Sequence, residues 1–484
     1  MKSRALITIL YILFAVAGLA SLGAESPTEA YTLGNGLDVI LLPLPGSGDL
    51  SMGIVFRGGA EVQTSANAGQ FGLLEQLLFR GTASEPGDPE PAGALEALDA
   101  AAFDGGVKTD RFAFAFSLSP ELLDQGLNTL SHLFSGLSFE TALSDPSALS
   151  AAKDSSVARM QAAKNEPTAI FEYALAKKLF SSAPWRLDAI GSEKTLREAT
   201  GASLKTLASR WLVPNNAALL LAGDFDPESA KTHIASAFAS WKKAENPWKT
   251  AQAALPKPGV TRPTLVVYPD PTQRKGYAAL EMRYRGPDIG SSRSAAVQLW
   301  VEMVSQPDSR LAKALSKGMP KNAASSTPKA HYQASRSASW FSVSTTIVIE
   351  GSGNPADTVL AFKEIVRGTE MYAMKTNAGY FSAVEYKNAK EALDAFPKAE
   401  GSQNAISSMM NLWLLNGIES LQTGKKSIQA ISSKDITSFA DEYLMKNLEI
   451  VSIRLNPEDY SAKKKYFDNY GFELISSQNA FWWK

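Results

Sequence analysis

The stretch Gly69-Gln70-Phe71-Gly72-Leu73-Leu74-Glu75-Gln76-Leu77-Leu78-Phe79-Arg80-Gly81-Thr82 decides the fold. Phe71, Leu74 and Leu78 fall at helical spacing, and Leu73 and Leu77 widen the apolar face. The spacing predicts a helix over Gln70 to Phe79, with Gly81 placed to stop it. Gly72 works against that helix by ~1 kcal/mol relative to alanine, so its presence asks for a reason. Upstream, Gly34-Asn35-Gly36 reads as a turn leading into a strand, Leu37 to Leu42, and a second strand follows at Ser51 to Phe56. Downstream, Phe112, Phe114 and Phe116 alternate with Ala113 and Ala115, which predicts a strand over Arg111 to Leu118.

Further out, Pro247, Pro256, Pro258, Gly259 and Pro263 punctuate the stretch from Glu245 to Pro263. It divides the chain into similar halves and reads as a linker, residues 246–263. A weak repeat supports the division. Ser203 to Glu228 parallels Asp435 to Glu458: in each a helix and a turn lead to a buried strand, with Trp211 matching Tyr443 and Asp226-Pro227-Glu228 matching Asn456-Pro457-Glu458. Two copies of one α+β domain, residues 25–245 and 264–484, explain this. Each is expected to be an α/β sandwich, a mainly antiparallel sheet with packed helices.

Residues 1–24 read as a signal peptide. Lys2 and Arg4 precede an apolar run from Ala5 to Leu22, and Gly23 and Ala24 offer a cleavage point. Cleavage after Ala20 fits the small-residue rule about as well, and an uncleaved membrane anchor is the alternative. The expectation is an exported, periplasmic and soluble protein. Losing Lys2 and Arg4 takes the 48 basic residues to 46, against 49 acidic ones. That balance argues against a nucleic-acid partner. With no cysteine in the 484 residues, disulfides, thiolate metal sites and a cysteine nucleophile are excluded.

From Thr32 to Thr82 the sequence resembles the start of the insulinase/pitrilysin zinc peptidases, peptidase family M16. Thr32-Leu33-Gly34-Asn35-Gly36-Leu37 is similar to the family's opening strand, Gly58-Gly59-Ala60-Glu61 to its next turn, and the Gly69 to Thr82 stretch to its metal-binding helix. Asn165-Glu166-Pro167, Ala189-Ile190-Gly191, Pro214-Asn215-Asn216, Gly223-Asp224 and Ser309-Arg310-Leu311 extend the resemblance over nearly the whole mature chain. The family's motif is H-x-x-E-H, two histidine ligands on one helical face with a glutamate as general base. Here Gly72 and Gln76 stand at the histidine positions, and Glu75 alone remains as the relic base. The third ligand maps to Ala151-Ala152-Lys153-Asp154-Ser155-Ser156, whose one carboxylate is Asp154.

A glycine offers no donor and a neutral amide is a poor zinc ligand, so the family's zinc is not expected and no other cofactor is implied. His132, His233 and His331 are too scattered to build another site and read as packing residues. The resemblance gives the Phe112 strand a second meaning, as the edge strand on which an extended substrate pairs. Gly105 and Gly106, which replace the family's Asn-Ala pair, are the other substrate-contact candidates. Val304-Ser305-Gln306-Pro307-Asp308 stands where a non-catalytic processing subunit carries a glycine-rich loop. Lys463-Lys464-Lys465 reads as solvated surface. Phe481-Trp482-Trp483 reads either as folded back on the second domain or as docked on a partner.

The expected function is that of a non-catalytic M16 homologue that binds peptides or unfolded proteins, pairs with a zinc-bearing M16 subunit, or does both. The alternatives are a stand-alone peptide-binding envelope protein and a zinc metalloendopeptidase with an atypical site.

Overall fold

A computed structural model of the chain describes residues 28–80, 98–135, 143–181, 183–250, 260, 262–320, 325–349, 353–394 and 401–483. The expected signal peptide, most of the expected linker and the Gly81-Thr82 end of the motif lie outside them. The first sheet comprises β1 (Glu29–Thr32), β2 (Asp38–Pro43), β3 (Leu50–Arg57), β4 (Ala101–Ala102), β5 (Gly106–Val107), β6 (Arg111–Leu118) and β7 (Ala217–Gly223). Its order is β1-β2-β7-β3-β6-β4, with β5 also on β6. The second comprises β8 (Thr264–Pro269), β9 (Tyr277–Arg285), β10 (Lys329–Gln333), β11 (Trp340–Val348), β12 (Ile450–Leu455) and β13 (Glu473–Leu474), in the order β10-β11-β9-β12-β8-β13.

Both sheets share one plan. β2 runs parallel to β7, β7 antiparallel to β3 and β3 antiparallel to β6. In the same sequence β8 runs parallel to β12, β12 antiparallel to β9 and β9 antiparallel to β11. Each half is therefore a mainly antiparallel α+β sandwich, as the repeat predicts. Only the outer strands differ, since β1 is antiparallel to β2 whereas β13 is parallel to β8. The paired Asp226-Pro227 and Asn456-Pro457 sites do the same local work: each acid or amide side chain caps a helix at a backbone N–H, with proline in the first turn.

The predicted elements fall where the pattern puts them. The motif helix runs Gln70–Arg80, and Phe71, Leu73, Leu74, Leu77 and Leu78 are buried in the first core. In β6 the phenylalanines face that core, where the Phe112 ring lies 5.9 Å from Phe56 and 6.3 Å from Phe134. Ala113 and Ala115 on the other face are equally buried, and what covers them comes from the other half. The Gly401–Asn416 helix lays Ala405, Ile406, Met409, Met410, Trp413 and Leu414 across the outer face of the first sheet. The exchange is reciprocal, because the Pro167–Leu179 helix of the first half packs Ile170, Phe171, Ala174 and Leu175 on Val266, Tyr268 and Ile450 of the second sheet. Gly53 in mid-β3 permits the approach, since a Cβ there would stand 2.8 Å from the Met410 methyl.

Two sequence expectations are corrected. The C-terminal aromatics do not fold back on the second half alone. Phe481 is fully buried beside Tyr173 of the first half, 5.2 Å between ring centroids, and stacks on Trp483. An apolar tail ending near a seam buries area there irrespective of which half it belongs to. His132 is exposed rather than packed, with Nδ1 2.9 Å from the Asn128 carbonyl. No described helix is long and apolar enough to cross a membrane.

Candidate functional site

The motif helix starts against the segment Ala189-Ile190-Gly191. Gly69 has φ +85°, and a Cβ on it would lie 2.4 Å from the Ile190 carbonyl, so the contact admits glycine alone. One turn on, Gly72 faces the Ala189 carbonyl, 3.1 Å from where its Cβ would be. On the same side stands Arg159, with Nη2 3.4 Å from that Cβ position. Its Nη1 lies 3.9 Å from Glu75 Oε1. Arg159 comes from the Pro146–Ala163 helix, which starts at an Asp145 N-cap and crosses the motif helix.

Glu75 is mostly buried, and burial raises its carboxyl above the usual range; the Arg159 guanidinium and a hydrogen bond from the Val107 N–H pull it back. Gly106, with φ +88°, lies so close that a Cβ would sit 3.2 Å from Glu75 Oε1. Gln76 Oε1 accepts a hydrogen bond from Ser155 Oγ at 3.3 Å. Gly72, Glu75, Gln76, Gly106 and the 146–163 helix are thus brought together. Ser155 and Arg159, four residues apart, are the members of that helix that meet the motif.

Asp154 is not among them. It is exposed and ion-pairs with Arg197, which also faces Glu193 at 3.8 Å. One residue of helix turns the side chain by about 100°, enough to take it off the face that Ser155 shares with Gln76. Phe112 is likewise not a substrate contact, because its ring is 1% exposed in the first core. Nor is β6 an edge strand: β3 flanks it on one side, and β4 and β5 on the other. The edge is formed by β4 and β5, with Ala101, Ala102 and Gly105 exposed. Sequence reasoning missed Arg159. The available signal was its spacing, one helical turn past Ser155 in the segment already set against the motif.

The donor set does not fit zinc. A guanidinium, which donates only, stands where an imidazole at position 72 would point, and the one carboxylate expected to help is engaged elsewhere. No group of three His, Asp or Glu side chains gathers among the described residues.

Beside the site, between the halves, lies a cavity of about 470 Å³. Val107 and Ala189, which touch Glu75 and Gly72, line it from the first half; Trp340 and Trp482 line it from the second. Asp188 ties its wall: Oδ1 accepts from Tyr173 Oη at 2.8 Å and Oδ2 from Trp482 Nε1 at 2.6 Å.

Residues 198–393 match the family description "Peptidase M16 inactive domain". The fold is that of solved M16 peptidases. A protease from Helicobacter pylori is 17% identical, with a TM-score of 0.68 over 89% of this chain and 100% of that one. The first half of the periplasmic protease PqqL from Escherichia coli is 17% identical, with a TM-score of 0.69 over 93% and 97%. Pitrilysin is 14% identical, with a TM-score of 0.73 over 90% of this chain and 45% of its own. A search of curated protein sequences found no match. Residues 198–393 thus match the inactive domain of the M16 peptidases, and the chain as a whole shares its fold with solved members of that family.

Proposed function

We propose that this chain is a non-catalytic, periplasmic M16 subunit that binds peptides or unfolded protein segments and pairs with a zinc-bearing M16 partner. The observation that carries the reading is the Arg159 guanidinium at Gly72 and Glu75. It replaces a Lewis acid with a hydrogen-bond donor, while Ala101, Ala102 and Gly105 at the β4–β5 edge beside it are exposed. A glutamate with no activated water to deprotonate has no hydrolysis to perform. The chain spans 45% of pitrilysin and 51% of whole PqqL, and the full length of the Helicobacter pylori protease. The test is purification of the untagged protein from its own cell envelope, followed by native mass spectrometry and elemental analysis. The expected result is a complex with a zinc-bearing M16 chain and well under one zinc per copy of this one. Stoichiometric zinc on this chain alone, with metal-dependent cleavage, would overturn the reading.

A further inference from the structure

After β13 the chain leaves the second sheet. The Ile475 N–H bonds the Val267 carbonyl, and from Ser476 to Trp483 no residue joins a strand. Ser476 to Ala480 closes on itself instead. The Asn479 and Ala480 N–H groups donate to the Ser476 carbonyl, the Ser476 N–H donates to Asn479 Oδ1 at 3.0 Å, and Asn479 Nδ2 reaches back to the Leu474 carbonyl at 2.7 Å. A turn held by its own bonds is a unit that can open without unfolding its neighbours.

This turn and the aromatics after it engage the first half. Lys177 Nζ donates to the Asn479 and Phe481 carbonyls at 3.1 and 3.2 Å. The Tyr173 ring lies 5.4 Å from that of Trp483, and the Trp185 ring 6.3 Å from that of Trp482. Trp482, which also lines the cavity, donates from Nε1 to Asp188 Oδ2.

Asp188 passes that contact on. It is 1% exposed; Oδ1 accepts from the Ile190 N–H at 2.8 Å as well as from Tyr173, and its carbonyl accepts from Gln63 Nε2 at 3.0 Å. Gln63 Oε1 in turn accepts from the Gly69 N–H at 2.8 Å, at the head of the motif helix. Trp482 is thereby joined to the residue that starts that helix and to the 189–191 segment that crowds Gly69 and Gly72. The remaining contacts between the halves rest on other residues, chiefly the Gly401–Asn416 helix on the first sheet and Arg283 on Glu172.

We propose that Ser476 to Trp483 is a strap that closes the cavity, holds the 188–191 segment against the motif helix, and is released as a unit while the rest of the seam stays shut. Entry to the cavity past Trp482 and order at the start of the motif helix are then one event, whatever ligand the cavity takes. A buried carboxylate that loses a donor is costly to leave unpaired, which is what makes the Trp482 bond the fastening point.

The test uses the full chain with Ala338→Cys, its single thiol, placed at a cavity-lining residue that is 4% exposed and packs in the same apolar cluster as Phe481. Maleimide labelling of that thiol and hydrogen exchange are both followed by mass spectrometry. Trp482→Phe removes the indole donor and keeps a ring; Lys177→Met removes the ammonium from the other side and keeps the stem. Each is expected to speed labelling by about tenfold, as loss of a buried hydrogen bond implies, and to speed exchange at residues 188–191 and the first turn of the motif helix. Exchange in β7 and β12 should be unchanged. Labelling unaltered by both substitutions would overturn the strap, and so would exchange accelerated equally in β7 and β12, because the segment would then be one more piece of a single core. Faster labelling with unchanged exchange at 188–191 would overturn the coupling to the motif helix.

Discussion

At position 72 two requirements meet: the Ala189 carbonyl and the Arg159 guanidinium both crowd the place a Cβ would take. A glycine that looks like a helix defect in the sequence is, in the folded chain, what lets the segment 189–191 and the 146–163 helix close on the motif. This governs how zinc binding can be restored. Gly72→His with Gln76→His places two imidazoles one turn apart, yet the first must displace Arg159, and two ligands leave the site incomplete. Adding Ser155→Glu and Arg159→Ala supplies a carboxylate from the residue that already touches Gln76 and removes the competing cation. By calorimetry this quadruple variant should bind zinc at least about tenfold tighter than the double one, given what a carboxylate bound directly to the metal contributes. A glutamate at Lys153 instead should give no gain, because Lys153 reaches away to the Arg197 carbonyl. Equal affinities for the Ser155 and Lys153 designs would show that the helix is rotated from the orientation described.

Among the elements, those with a strong local period were legible. The strand read over Arg111 to Leu118 is β6 residue for residue, and the motif helix extends one residue past Phe79. Asn165-Glu166-Pro167 also has a local cause, since Glu166 caps the 167–179 helix at the Ala169 N–H and Pro167 fills its first turn. The element that the sequence could not place is the Gly401–Asn416 helix. Its stripe announces that it is buried but not against what. Trp413 sits at the centre of that contact, fully buried, with Nε1 donating to Asp38 Oδ2 at 2.8 Å and Arg57 lying 4.2 Å over the ring. Trp413→Ala should cost ~3–5 kcal/mol, the usual range for emptying such a site, read as a lower urea midpoint. Because the damage falls on the first sheet, hydrogen exchange should accelerate in β7 more than in β12. Faster exchange confined to the second half would contradict the exchanged-helix architecture.

On the scale of the whole molecule the halves are also joined by a buried acid. Glu61 of the first half accepts from Ser337 Oγ of the second at 2.7 Å through Oε2. Its Oε1 has Arg336 at 3.7 Å and no hydrogen-bond partner among the described residues. Burial outweighs that distant guanidinium and pushes the Glu61 carboxyl up to about 7. Asp188, in the cavity wall, is pushed up to about 6. An acid whose folded pKa is raised holds its proton more tightly in the native state, so its contribution is fully present at low pH. That contribution is lost as pH rises from the unfolded value, near 4.5 for Glu61, through the folded one. His331, lowered by burial, works the other way, so the comparison must be a difference. Glu61→Gln keeps an acceptor for Ser337 without titrating. Relative to this variant the wild type should lose stability, on the order of 1–3 kcal/mol, between pH 5 and 8 in urea titrations. Parallel pH profiles would show that Glu61 does not titrate in that window.

By itself, then, the sequence determined the duplicated sandwich, the helix that runs from Gln70 and the absence of an imidazole at positions 72 and 76. Each of these is written in local spacing or in the identity of single residues. Only the tertiary structure decided that Asp154 turns to Arg197 while Arg159 takes its place beside Glu75, that β4 and β5 rather than β6 form the edge, and that each half lends a helix to the other's sheet. Hydrophobic burial is non-directional. A pattern can therefore state which face of an element is covered, while the partner that covers it is fixed by shape and by the whole chain closing at once.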